Sequence, residues 1–264
     1  MSPQIWIAGA WVNLALALAC MALGLLSVSG CVAALMIGAA IWGCLGWQGW
    51  LVLLVFFLGG TAATKFQYGA KRRLGVAQEN AGRRSWKHAW ANAGAGVLCA
   101  AFSLYFALRG DGQHRQAWAW AFVACFAAAL SDTLSSEFGQ LAGKPPRLIT
   151  TGETVPTGTD GGITLAGTLM GLLGAALLSL LGRFIGLTPV RATFPIMLAG
   201  LSGNLLDSWL GATLQRRGRM TNEMVNFANT CGGAALGFAG FWFMQWLPHG
   251  VQHLGFRFLE DFFV

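Results

Sequence analysis

At 264 residues, 55% hydrophobic and 10% charged, with a net charge of +7, the chain carries far fewer charges than the roughly 25% of a soluble globular domain, which points to lipid as its solvent. Thirty-seven glycines and twelve tryptophans suit that setting, because small residues let membrane helices approach closely and tryptophan favours the headgroup level. The basic residues sit in short segments between apolar runs, so they set orientation in the bilayer and argue against nucleic acid as a partner.

A transmembrane helix needs about 20 mostly apolar residues, and on that scale the chain is predicted to be an all-α polytopic bundle of about eight spans, a single integral domain over residues 1–264 with short loops. The first span, Ile5 to Leu26, lacks the basic n-region of a secretory signal and reads as retained. Cys31 to Gly46 and Gly49 to Thr64 follow, short and poorly separated. Next come His88 to Leu108, Gln116 to Phe138, Gly161 to Leu181, Pro189 to Leu210 and Phe227 to Leu247. With eight spans, segments 65–87, 139–160 and 211–226 share one side and hold seven, two and three of the Lys and Arg residues, leaving Arg109, Arg115, Arg183, Arg191 and Arg257 opposite. The positive-inside rule makes the richer side cytosolic, as in a bacterial inner membrane, and places both termini outside. Two spans rather than three before residue 65 would break this alternation. Cys20, Cys31, Cys44, Cys99, Cys125 and Cys231 stand singly in apolar runs and read as small buried hydrophobes.

Several polar residues resist explanation by composition. The fifth span ends in AALSDTLSSEFGQ, where Asp132 and Glu137 lie near the cytosolic boundary at a depth where ionisable groups are costly and usually functional. Five helical residues separate them by about 140°, so both reach one cavity only if the helix frays or turns. Toward the end of the seventh span Gly200, Gly203, Asn204, Asp207, Ser208 and Gly211 form one stripe facing protein, and Asn222, Asn226, Asn229, Thr230 and Gly233 run similarly into the eighth from the same side. Three acids at one depth suggest a divalent cation. Mg²⁺ is the natural choice, since it is held by one or two carboxylates with substrate phosphates, whereas no Cys or His set has zinc spacing.

The loop GKPPRLITTGETVPTGTDGG leads toward a helix N-terminus and can present backbone N–H groups to an anion through Thr157, Gly158, Thr159, Asp160, Gly161 and Gly162. A plain turn followed by an N-cap is the alternative. Lys144 and Arg147 would supply cations to the same anion. In the basic segment, Arg72, Arg73 and Arg83 are read as headgroup contacts, while Lys65 can turn inward. His88 and Asn92, one turn apart, can line the same cavity; His114, His249 and His253 fall on the outer side.

From about Thr61 to Asn229 the motifs ATKFQYGAKRRL, GRRSWKHAWAN, SDTLSSEFG, PPRLITTGETVPTGTDGG, DSWLGATLQ and MVNF occur in order, and in this the chain resembles the polytopic membrane family that contains phytyl-phosphate kinase of tocopherol biosynthesis and a eukaryotic transmembrane relative. Departures are His88 in place of a glutamine, Asp160 where relatives often carry asparagine, and a shortened stretch between Gln215 and Asn226. The resemblance implies phosphoryl transfer from a nucleoside triphosphate to a prenyl monophosphate. DTxxSxxG followed by a lysine and a GT-GG loop also loosely resembles CTP-using polyprenol kinases and cytidylyltransferases, which suggests CTP as donor. On this reading Asp132, Glu137 and Asp207 hold Mg²⁺, Lys65, Lys71, Arg84 and Arg147 screen the phosphates, and the GTDGG loop with Lys144, Asn204, Ser208 and Gln215 takes the nucleotide. A cytidylyltransferase making a CDP-linked lipid, and a transporter with a kink at Pro195, are the rival readings.

Overall fold

The structure is a computed structural model and describes residues 3–247. It is an all-α bundle: α1 (Pro3–Ala22), α2 (Val28–Lys65), the short α3 (Tyr68–Arg73), α4 (Trp86–Leu108), α5 (Gly112–Gly139), α6 (Leu165–Phe184), α7 (Thr193–Leu210) and α8 (Asn222–Trp246). Four helices, α2, α4, α5 and α6, are both long and apolar enough to cross a membrane. Each of the eight apolar segments read from the sequence falls on a helix or on one arm of α2. His249, His253 and Arg257, together with the expected outer C-terminus, lie outside the described residues.

The longest helix is two arms. Gly46 has φ 68° and ψ −160°, a conformation open to glycine and strained for other residues, and it folds arm 28–45 back alongside arm 47–65. Side chains confirm the reversal: Trp42 and Trp50 stack edge to face with centroids 5.6 Å apart, and Asn13 of α1 meets both Gly38 and Trp50.

α5 occupies the centre, packed by α4, α6, α7, α8 and α2. Between residues 117 and 131 its sequence is apolar or small on every face, the signature of a fully enclosed helix, and Trp120 through Leu130 are wholly shielded. The close approach depends on small residues. Gly200 and Gly203 of α7 lie against Ala127 and Ala128, Gly233 and Gly237 of α8 against Ala128 and Ala124, and Gly174 of α6 against the Leu130 carbonyl. Packing of this kind replaces the hydrophobic drive that lipid cannot supply.

Helix ends depart from the sequence reading where capping decides them. α6 starts at Leu165 rather than Gly161, because Thr164 Oγ1 accepts the Gly167 N–H at 3.0 Å and the preceding Gly162–Ile163 pairs antiparallel with Arg147–Leu148. α8 starts earlier than expected, at Asn222, capped by Thr221. Pro195 lies in the first turn of α7, where its missing N–H leaves no helical bond unmade, so it does not make the kink that the transporter reading called for.

Beyond α2 the chain reverses through Gln67 (φ 48°), and α3 brings Lys71 back under the helix it has just left. Lys71 Nζ donates to the carbonyls of Ala63 and Thr64, each at 2.9 Å, and to Glu137 Oε2 of α5 at 2.6 Å. All three ammonium donors are used, which is how a fully buried lysine is tolerated.

The seam of small residues gives a direct test. A Cβ at Gly233 would sit 2.6 Å from Ala128 Cβ and 2.9 Å from the Ala124 carbonyl oxygen, so Gly233→Val is expected to destabilise by about 1–3 kcal/mol; thermal unfolding in detergent reads the change.

Candidate functional site

The polar ends of α4, α5, α7 and α8 and the loops beside them enclose a cavity of about 500 Å³ at one end of the bundle. Asp132 and Glu137 both line it although α5 stays helical through Gly139: the cavity wraps the end of the helix, and no fraying is needed. Thr133, Ser135, Ser136 and Gly139 complete the α5 wall, with Gln140 at its C-cap. Opposite, Asn204, Asp207 and Ser208 come from α7, and Gly211 and Gln215 from the wide π-type turn Gly211–Gln215 that follows it. Such turns recur at functional sites.

Loop 157–162 closes another wall with Thr157, Gly158, Thr159, Asp160, Gly161 and Gly162. Gly158 and Gly161 have φ of 88° and 77°. Gly161 fits so tightly on the end of α7 that a Cβ there would lie 2.5 Å from the Ala212 nitrogen and 2.6 Å from the Ser208 carbonyl oxygen. The loop is therefore a built wall docked on α7. The N-terminus of α6 is partly satisfied by its own Thr164, so any anion here would meet the loop more than the helix dipole. Asp160 is exposed; partial burial pushes its carboxyl above the usual range, opposed by Arg216.

Arg84 is fixed from two directions. Its backbone bridges the α1–α2 connection, with Arg84 N–H donating to the Leu25 carbonyl at 3.0 Å and Ser27 N–H to the Arg84 carbonyl at 3.1 Å. Its Nη2 donates to Thr64 Oγ1 at 3.3 Å, and among the described residues no carboxylate is within ion-pairing distance of it. Burial lowers the guanidinium pKa while Glu137 and Asp132 raise it, and an arginine remains charged throughout. The cavity thus holds a cation with donors to spare.

The acids divide. Glu137 is 3% exposed, and its two oxygens accept from Lys71 and from Gln78 Nε2 at 2.9 Å. Asp132 accepts only a long bond from Ser136 Oγ, at 3.4 Å, and Asp207 Oδ2 is buried with no hydrogen-bond partner among the described residues. No three His, Cys, Asp or Glu side chains among the described residues cluster as a metal site by themselves. An orphaned carboxylate oxygen and a second carboxylate on one cavity fit Mg²⁺, which takes one or two carboxylates and completes its shell with phosphate and water.

Four basic residues expected at the site lie off its lining. Lys65 and Lys144 are exposed. Arg147 is exposed too, and its Nη1 donates to the Gly152 carbonyl at 3.0 Å, stapling the loop. Lys71 is the buried partner of Glu137. Conversely Gln78, Ser85, Thr164 and Glu223 line the cavity without having been singled out; only Glu223, an acid in the first turn of α8, carried a readable signal. His88 and Asn92 do line the cavity, with Ser85 Oγ 2.9 Å from His88 Nδ1.

The family described as integral membrane protein DUF92 matches residues 11–234. The chain belongs to this family. It is 38% identical over 202 residues to an uncharacterized membrane protein of Synechocystis sp., covering 76% of each chain, and 38% identical over 208 residues to the chloroplastic protein VTE6 of Arabidopsis thaliana, covering 77% of this chain and 62% of that one. It is also 34% identical over 185 residues to protein PGR of the same plant, covering 63% of this chain and 64% of that one. No solved structure matches.

Removing one partner of the buried pair tests its role. Lys71→Met leaves Glu137 charged and unpaired and is expected to cost about 3–5 kcal/mol; Lys71→Met combined with Glu137→Leu should recover much of it. Unfolding of the single and double variants in detergent separates this structural role from direct phosphate contact, in which case the single variant would lose ligand affinity with stability intact.

Proposed function

We propose that the chain is an isoprenoid-monophosphate kinase, transferring the terminal phosphoryl group of a nucleoside triphosphate, CTP by preference, to a prenyl monophosphate, with Mg²⁺, at the cytosolic face of a bacterial inner membrane. The observation that carries this is a junction. Arg84, His88 and Asn92 line the polar cavity and also the mouth of an apolar crevice between α1, α2 and α4. A ligand with an anionic head and a hydrocarbon tail matches both at once. The motifs resembling the phytyl-phosphate kinase family supply the reaction class, and the excess of basic residues on this end supports the cytosolic placement.

In the proposed reaction an oxygen of the acceptor phosphate attacks the terminal phosphorus of the triphosphate. The bond from that phosphorus to the bridging oxygen breaks, and the nucleoside diphosphate leaves. The acceptor is already ionised near neutral pH, so no general base is required. Arg84 binds the acceptor head and offsets its charge, allowing two anions to meet. Loop 157–162 orients the triphosphate through its backbone, with Asn204, Ser208 and Gln215 as side-chain donors and acceptors. Asp132 and Asp207 would hold Mg²⁺, whose contribution is to neutralise charge on the phosphates. Alignment supplies the remainder of the rate.

Purified protein with labelled CTP and phytyl or geranylgeranyl monophosphate is expected to yield CDP and the prenyl diphosphate. Pyrophosphate release would instead show a cytidylyltransferase, and absence of turnover with several triphosphates and prenyl phosphates would sink the kinase reading. Asp132→Asn and Asp207→Asn should each lower kcat by roughly 10²–10³-fold while the protein remains folded; full activity in either defeats the metal assignment.

Asp160 contributes negative charge on the triphosphate side. Asp160→Asn is expected to lower the KM for the triphosphate by about fivefold, the equivalent of about 1 kcal/mol. Because burial raises the Asp160 pKa, the carboxyl is charged above that value and neutral below it. The advantage of the variant should therefore be full at high pH and vanish as pH falls through the raised pKa, as KM profiles of the two proteins would show.

A further inference from the structure

The crevice that meets the polar cavity at Arg84, His88 and Asn92 has a defined far end. It runs between α1, both arms of α2 and α4 past Ala17, Ala34, Ile37 and Leu53, and stops at Asn13 and Trp50. Its walls between the two ends are apolar. At the far end Trp50 Nε1 donates to Asn13 Oδ1 at 2.8 Å and Asn13 Nδ2 donates to the Gly9 carbonyl at 2.8 Å. The Asn13 carboxamide is thus turned to its neighbours and joins α1 to α2 as a wall.

We propose that this crevice binds the isoprenoid tail of the lipid phosphate whose head lies at Arg84, and that the Asn13–Trp50 hydrogen bond closes it and sets the longest tail accepted. The inference rests on the lipid-phosphate reading and deepens it. Three observations support it. The crevice is continuous with the polar cavity through three shared residues, one of them a cation fixed in place by its backbone. The rise along α2 from Gly60, at the mouth, to Trp50 is about 15 Å, enough to distinguish tails differing by an isoprene unit. Finally, among the described residues α1 packs against α2 and makes no comparable contact with α4, so a tail can enter between them from the bilayer without leaving an apolar medium. A small soluble phosphate would leave the crevice unused, and a through-channel would need polar groups where the walls carry none.

The test is photolabelling of the full chain in nanodiscs with geranylgeranyl monophosphate bearing a diazirine at the tail end, the adducts being mapped by mass spectrometry. Labels are expected near Asn13 and Trp50, removed by excess unlabelled geranylgeranyl monophosphate and not by excess phosphatidylglycerol. Ala34→Phe, which narrows the middle of the crevice, should reduce this labelling about tenfold while leaving labelling by a dimethylallyl analogue unchanged. Trp50→Ala should extend acceptance to longer tails, and Trp50→Phe, which keeps an aromatic ring but loses the N–H and part of the indole's volume, should do the same to a smaller extent and checks the result if alanine unfolds the protein. Labels elsewhere, equal competition by phosphatidylglycerol, or wild-type labelling in Ala34→Phe would each overturn the proposal. Labelling does not depend on turnover: crevice adducts in a protein that phosphorylates no prenyl phosphate would sink the kinase reading alone, and turnover with adducts elsewhere would sink the crevice alone.

Discussion

The buried ion pair between Lys71 and Glu137 holds the cavity end of this bundle together. Two charges removed from water lose much hydration energy, and the structure recovers it by giving the ammonium three acceptors and the carboxylate two donors. The acceptors come from the last turn of α2 and from α5, so the pair closes the exposed carbonyls of one helix while fixing it to the central one. Gln78 draws the following loop onto the same carboxylate, and that loop leads directly to Arg84. Arg84, which lines the cavity beside Arg83, is thus located by a cation that does not face it, and Arg83, expected at the headgroups, shares its position.

This division of work extends to the acids. Glu137 is committed to structure by both of its oxygens, whereas Asp132 and Asp207 keep acceptor capacity toward the cavity. Their freedom depends on α5 and α7 being pressed together through glycine and alanine, which brings two carboxylates from different helices to one space at the same depth. The loop docked on the end of α7 depends on the same economy of volume: Gly161 and Gly211 permit a contact that any side chain would forbid.

Much of this was legible beforehand because membrane helices obey strong constraints. Apolar runs mark the helices, and an acid at membrane depth is conspicuous against so few charges, so Asp132, Asp207, loop 157–162 and the polar part of the α7 stripe, all of which line the cavity, stand out in the sequence. The basic residues were less readable. A lysine at the end of a helix can turn inward or out on its flexible stem, and the sequence around Lys65 and Lys71 does not distinguish them; the left-handed turn at Gln67, which sends Lys71 inward and leaves Lys65 exposed, has no strong local signature. Arg147 resembled a ligand-binding cation but serves its own loop. Helical periodicity also misled over Asp132 and Glu137, because a cavity that surrounds a helix end is reached from more than one face. Residues such as Gln78 and Thr164 belong to irregular segments where no period applies.

The separation of α1 from α4 bears on how a lipid phosphate would reach Arg84. A molecule drawn sideways from the bilayer is counted per lipid rather than per litre, so occupancy follows its mole fraction in the membrane and falls as inert lipid is added at constant total amount. Half-saturation would then be a surface composition, and two membranes holding the same quantity of ligand but differing in area would load the protein to different extents.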